Sequence, residues 1–91
     1  MDKNEILIKI IDDLKTNSFD ISFHAYQRMS ERGITPIAIQ YLINSPAINN
    51  YSWSENHQSW NFTGKDLSED NITISCIYDE DGTLIVTVFW E

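Results

Sequence analysis

His24, Arg28 and Arg32 stand at four-residue intervals in the stretch SFHAYQRMSERGITP, Ser22 to Pro36. It holds both arginines of the chain and one of its two histidines. If residues 23–32 are helical, neighbours four apart project from adjacent turns and share one ridge. Phe23, Ala25, Tyr26 and Met29 take the other side, and Glu31, three after Arg28, could hold it by an ion pair. A phosphodiester suits this set. Guanidinium presents a planar fork to two phosphate oxygens and never loses its charge. Imidazole, titrating near ~6.5 when free, takes or gives a proton at neutral pH. RNA supplies its own nucleophile, the 2′-hydroxyl, so such a site needs an acid, a base and positive charge but no metal. The competing reading is a solvated helix ridge, with a surface Arg28–Glu31 pair worth under about 1 kcal/mol.

Fewer signals lie elsewhere. His57 begins an alternating run with Ser59, Asn61 and Thr63, a polar strand face that is either wet or part of a cleft. His57 there is a second acid/base candidate or a surface histidine without a role. Lys65, beside Gly64, is the one lysine after residue 15 and a candidate RNA contact. Trp53, Trp60 and Trp90 could stack on bases or fill a small core or interface. Cys76 has no neighbouring base and reads as a small buried hydrophobe. With two imidazoles and no ligand-like spacing, metal binding is not expected, and the DEDG stretch reads as a turn rather than a calcium loop. Only Gly33, Gly64 and Gly82 are present, so there is no phosphate-cradling glycine loop. No cofactor is implied.

These residues need a scaffold, and the periodicity supplies one. Ile6, Leu7, Ile10, Ile11 and Leu14 recur at helical spacing, which predicts a helix over 3–15. DISF is either a short extended lead-in or a cap, with Ser22 starting the helix over 23–32. Gly33 fits the left-handed cap that ends it. Thr35 and Pro36 open a third helix, with Ile37, Ile39, Leu42 and Ile43 facing inward and Pro46 closing it. From Ala47 the period becomes two, through YSWSE, HQSWNFTG, NITISCIYD and TLIVTVFW. Gly82 marks a tight hairpin between the last two strands. The expectation is an α+β domain: about three helices over one face of a four-stranded antiparallel sheet, its last two strands central.

The bulk numbers bound the rest. At 91 residues the chain reads as one domain, 1–91, with residues 1–20 as a helical N-terminal extension to a core at 21–91. There are no repeats and no linker. A hydrophobic fraction of 42% excludes a disordered chain. No apolar run approaches the roughly 18 residues of a membrane span. The start, MDKNEILIKI, does not read as a secretory signal, and a single cysteine cannot form an internal disulfide. A cytoplasmic setting follows as the expectation. Net charge is −8, so nucleic acid is not attracted by the overall field and would have to meet a local basic patch. Otherwise the acidity is a solvated surface, or it serves a basic protein partner.

The segment ISFHAYQRMSERGIT resembles the signature of a bacterial family of small proteins, domain of unknown function 4258. Its members carry H-A-x-x-R-M-x-x-R-G-I, then a helix and an antiparallel sheet ending in a strand like I-I-T-V-Y, where this chain has LIVTVFW. The resemblance covers about Ile21 to Trp90. The family is in turn similar to the barnase–EndoU–colicin–RelE ribonuclease fold, which includes toxins of toxin–antitoxin systems. The resemblance implies a RelE-like fold, His24, Arg28 and Arg32 on the motif positions, and Thr87 as a phosphate or 2′-hydroxyl contact. If Thr87 shares a face with Ile85 and Phe89, it is instead buried and structural.

Three functions remain open at the level of sequence. The first is a small metal-independent ribonuclease of toxin type, with His24 as acid/base, Arg28 and Arg32 as phosphate clamps, and Thr87, Lys65 and His57 assisting. The second is a non-catalytic acidic module, antitoxin-, immunity- or inhibitor-like, that binds a basic protein. The third binds RNA without cutting it. A cognate protein partner is expected, and exposed aromatic residues such as Trp90 leave a homodimer open.

Overall fold

A computed structural model describes residues 1–90. Helix α1 runs Lys3–Lys15, strand β1 Phe19–Ile21, helix α2 Phe23–Arg32 and helix α3 Pro36–Ile43. A 3-10 turn, Pro46–Asn49, leads to strands β2 Tyr51–Ser54, β3 Ser59–Lys65, β4 Asn71–Asp79 and β5 Gly82–Trp90. The helix ends obey local chemistry. Asp2, Ser22 and Thr35 each accept a hydrogen bond from a first-turn N–H. Gly33 ends α2 at φ 68°, the left-handed region that costs glycine little.

The sheet has five strands in the order β1-β5-β4-β3-β2, one more than the sequence suggests. The added strand, β1, pairs parallel to β5, so the sheet is mixed rather than wholly antiparallel. Three residues are too few to show a period, and their partner lies more than sixty positions away. The pairing is a tertiary event that local pattern does not encode. The helices cover one face. Leu7, Ile10 and Leu14 of α1, Ala25 and Met29 of α2, and Ile39, Leu42 and Ile43 of α3 meet the inward side chains of the sheet in one core. The first helix is thus part of that core, and Trp60 ties to it by donating its indole N–H to the Lys3 carbonyl at 2.9 Å.

Two expectations about the helices change. Ile37 is 68% exposed, and Ala38 takes the inward place beside Ile39. An eight-residue helix that is apolar almost all round does not declare its buried stripe. Pro46 does not close α3, which ends at Ile43; it begins the 3-10 turn, where its fixed φ is suited to the first position.

The other face of the sheet is open and polar, and a β-bulge sets its pattern. In the β4–β5 ladder Cys76 pairs with Ile85 and Ser75 with Thr87, so Val86 is the extra residue. The bulge breaks the alternation. Ile85 and Val88 both point into the core, fully buried, while Thr87 and Phe89 turn to the open face. Thr87 therefore shares a face with Phe89 but not with Ile85.

Candidate functional site

Four polar side chains form one row across the open face. Ser52 pairs with Asn61, Asn61 with Ser75, and Ser75 with Thr87, spanning β2 to β5. Directly opposed residues place their β-carbons about 4.5–5.5 Å apart, so neighbours in the row can touch. The Ser75 hydroxyl donates to Asn61 Oδ1 at 2.6 Å. One row further along, the Thr63 and Thr73 hydroxyls share a hydrogen bond of 2.8 Å. Buried serines and threonines in a sheet are stable only with such partners.

The row floors a cleft of about 460 Å³, within the size range of small-ligand sites. Val86 and Phe89 supply its apolar lining, and Ser59 adds a further hydroxyl. His24 and His57 both line it, and they arrive from opposite sides of β4.

His24 comes from the first turn of α2, whose start is fastened to the bulge. The Ser22 N–H donates to the Ile85 carbonyl at 2.9 Å, and its hydroxyl donates to the Val86 carbonyl at 3.1 Å while capping Ala25 N at 3.0 Å. The carbonyl of the extra residue is thus satisfied by the residue that starts the helix, and His24 follows two positions later.

His57 lies in the Glu55–Gln58 turn between β2 and β3, not on the strand itself. The turn needs a left-handed residue, and Gln58 takes φ 51° without being glycine or asparagine, so the sequence carries no turn signal there. The two-residue period from His57 through Ser59 to Asn61 nonetheless persists, and all three line the cleft. Glu55 braces the turn. Its carboxylate accepts the Trp53 indole N–H at 2.7 Å and then a Gln58 amide N–H at 3.3 Å, and these two bonds hold its pKa below the ordinary value.

The cleft thus brings together His24, His57 and Thr87. Arg28 and Arg32 do not line it. They continue outward along the α2 ridge, about 6 and 12 Å from His24 at 1.5 Å per residue. Arg28 lies 3.4 Å from Glu31 in an exposed pair. Lys65 is at the far end of β3, where its ammonium binds Asn71 Oδ1 at 3.0 Å and the Glu69 carbonyl at 3.4 Å, closing the β3–β4 turn. Ser75 is the site residue that sequence reading missed. The signal was a serine inside the apolar run NITISCIYD, at a position now 6% exposed.

Other candidates settle into structure. Cys76 is fully buried, and burial pushes its thiol pKa up, away from nucleophilic use. Trp53 and Trp60 pack on one another with ring centroids 5.3 Å apart on the helix side, so neither faces the cleft. Among the described residues no group of three or more His, Cys, Asp or Glu side chains is arranged for a metal ion. No helix among them is long and apolar enough to cross a membrane.

The chain belongs to the family described as domain of unknown function 4258 (DUF4258), whose model matches residues 21–90. The match takes in the α2 ridge, the cleft and the final strand, and leaves out α1. No curated protein and no solved structure compared with the chain matches it.

Proposed function

We propose that this member of the DUF4258 family is a metal-independent endoribonuclease, of the kind found among small bacterial toxins. The observation that carries the reading is a cleft lined by both imidazoles over a floor of hydroxyl and amide groups. One imidazole, neutral, takes the proton from the 2′-hydroxyl as that oxygen attacks phosphorus. The other, protonated, gives its proton to the departing 5′-oxygen. The P–O5′ bond breaks, a 2′,3′-cyclic phosphate remains, and the two histidines end with their protonation exchanged. Rate should follow a bell-shaped pH profile, because one group must be charged and the other neutral.

Thr87, the β5 end of the floor row, is the hydroxyl that contacts the phosphate or the 2′-oxygen. Arg28 and Arg32 extend the site along the ridge and clamp flanking phosphates. The exposed Glu31 pair yields to a phosphate at little cost, since such pairs are worth under about 1 kcal/mol. Lys65, occupied in its own turn, has no part in the cleft. The likeness to the barnase–EndoU–colicin–RelE fold belongs to this proposal, supported by helices on one face and an open polar sheet on the other.

The acidic-module reading rests on net charge alone. Several carboxylates are spent locally: Asp66 Oδ1 accepts from Ser68 and Asp70 N–H, Asp79 Oδ1 from Asp81 N–H, and Asp13 from the Thr83 hydroxyl. These three shape turns and anchor α1.

The test is induced expression of the wild-type chain beside His24→Ala, Arg28→Ala and the double variant, following growth and total RNA. The reading expects arrest and RNA loss with the wild type, weakened by Arg28→Ala and abolished by His24→Ala. Four indistinguishable cultures, each with soluble protein, would remove it and leave the protein-binding module.

A further inference from the structure

The cleft floor also carries a group that the cleavage chemistry does not use. The Ser75 hydroxyl donates to Asn61 Oδ1 at 2.6 Å, which occupies the carbonyl end of that amide. Among the described residues no protein group accepts from Asn61 Nδ2, and the side chain is half-buried and lines the cleft. An amide whose oxygen is held by its cross-strand neighbour has its two N–H donors left for a ligand. Thr87 stands two places along the same cross-strand row, and Phe89 follows it on the same face. A pair of donors and an aromatic ring lining one cleft are the equipment of a base-reading pocket. The ring takes the π-face of a base, and the donors test its edge.

We infer that Asn61, oriented by Ser75, reads the base at the cleavage site by donating to a carbonyl oxygen, with Phe89 stacked on the ring. The inference rests on the ribonuclease reading of the cleft and adds its substrate preference. Uracil, cytosine and guanine each carry a ring carbonyl oxygen. Adenine carries none; its N1 and N7 can accept, but the amino group beside each of them crowds the Asn61 donors. The cleft therefore prefers the first three to adenine. Ser75 is a positioning residue. Without its hydroxyl the amide is free to turn, and the sign of the contact is no longer fixed.

The experiment titrates the full chain with uridine, cytidine, guanosine and adenosine 3′-monophosphates, following the Asn61 side-chain amide and the backbone amides of Ser75 and Thr87 by NMR. The three carbonyl-bearing nucleotides are expected to bind about tenfold more tightly than adenosine 3′-monophosphate, the usual worth of one hydrogen bond. Asn61→Leu, close in size and without donors or charge, should bring the four affinities together. Ser75→Ala should shrink the ratio toward one, and it serves alone if Asn61→Leu does not fold. Equal binding of all four nucleotides at the cleft, or a preference that survives both variants, overturns the inference and leaves the ribonuclease reading intact. No binding of any nucleotide removes both.

Discussion

Replacing Gly64 by alanine probes how tightly β3 is pressed against the turn at Pro46–Asn49. Gly64 faces the helix side of the sheet opposite Ile72. A β-carbon added there would sit 2.4 Å from Ala47 Cβ and 3.3 Å from Leu42 Cγ. Carbon atoms rest about 3.5–4.0 Å apart, so strand and turn would have to separate by roughly 1 Å or more. Neither yields easily. β3 is paired on both edges, and Asn50 grips Thr63 through two hydrogen bonds of 3.1 and 2.9 Å. Overpacking of this kind costs about 1–3 kcal/mol, against about 0.4–1 kcal/mol gained by stiffening the unfolded chain. The net loss should be about 1–2 kcal/mol, a fall in Tm of roughly 5–15 °C for a domain of this size. Urea unfolding should show a lower midpoint at unchanged slope. Ala47→Gly removes the nearest obstacle, so the double variant should recover much of the loss, giving a favourable coupling in the cycle. A Gly64→Ala chain as stable as the wild type, or a cycle without coupling, would refute the packing argument.

Ser22→Ala removes the cap of α2 and the donor to the Val86 carbonyl; it should cost about 1–2 kcal/mol in thermal unfolding and loosen His24, lowering RNA cleavage more than the stability loss explains. Thr87→Val should leave stability within about 0.5 kcal/mol while reducing cleavage, because the hydroxyl faces the cleft; Ile85→Ala, two residues away but in the core, should cost about 2–5 kcal/mol. Equal costs at the two positions would mean the bulge is misplaced. Glu55, held below its ordinary pKa first by Trp53 and then by Gln58, supports the His57 turn fully above the ordinary carboxylate value and loses that support as pH falls through its lowered folded-state value. An NMR titration of the Glu55 carboxyl should show the lowered midpoint, and Trp53→Phe should move it back up.

Much of the scaffold can be read from the chain because its helices carry their own punctuation. Asp2, Ser22, Thr35, Pro36 and Gly33 stand where caps are needed, and Leu7, Ile10 and Leu14 mark a single buried stripe. What could not be read depends on distant partners. β1 exists because β5 offers it an edge. The bulge at Val86 is hidden in Ile85-Val86-Thr87-Val88, four residues that all favour strands, so no local feature says where the alternation slips. The site divides the same way. The His24 ridge follows from four-residue spacing and the His57 face from two-residue spacing. Their convergence on one cleft needs the strand order, and the Ser75–Asn61 hydrogen bond needs the register. Arg28 and Arg32 share the ridge with His24, yet only its first residue reaches the cleft, because α2 meets the sheet at its start.

Purified wild-type chain, His24→Ala and His57→Ala, each incubated with an RNA pool in excess chelator, decide whether the two histidines cut RNA. Cleavage by the wild type should leave 2′,3′-cyclic phosphate ends and be lost in both variants, whose near-ultraviolet circular dichroism stays native. RNA left intact by the folded wild type, or cut equally by all three proteins, would contradict the two-histidine mechanism.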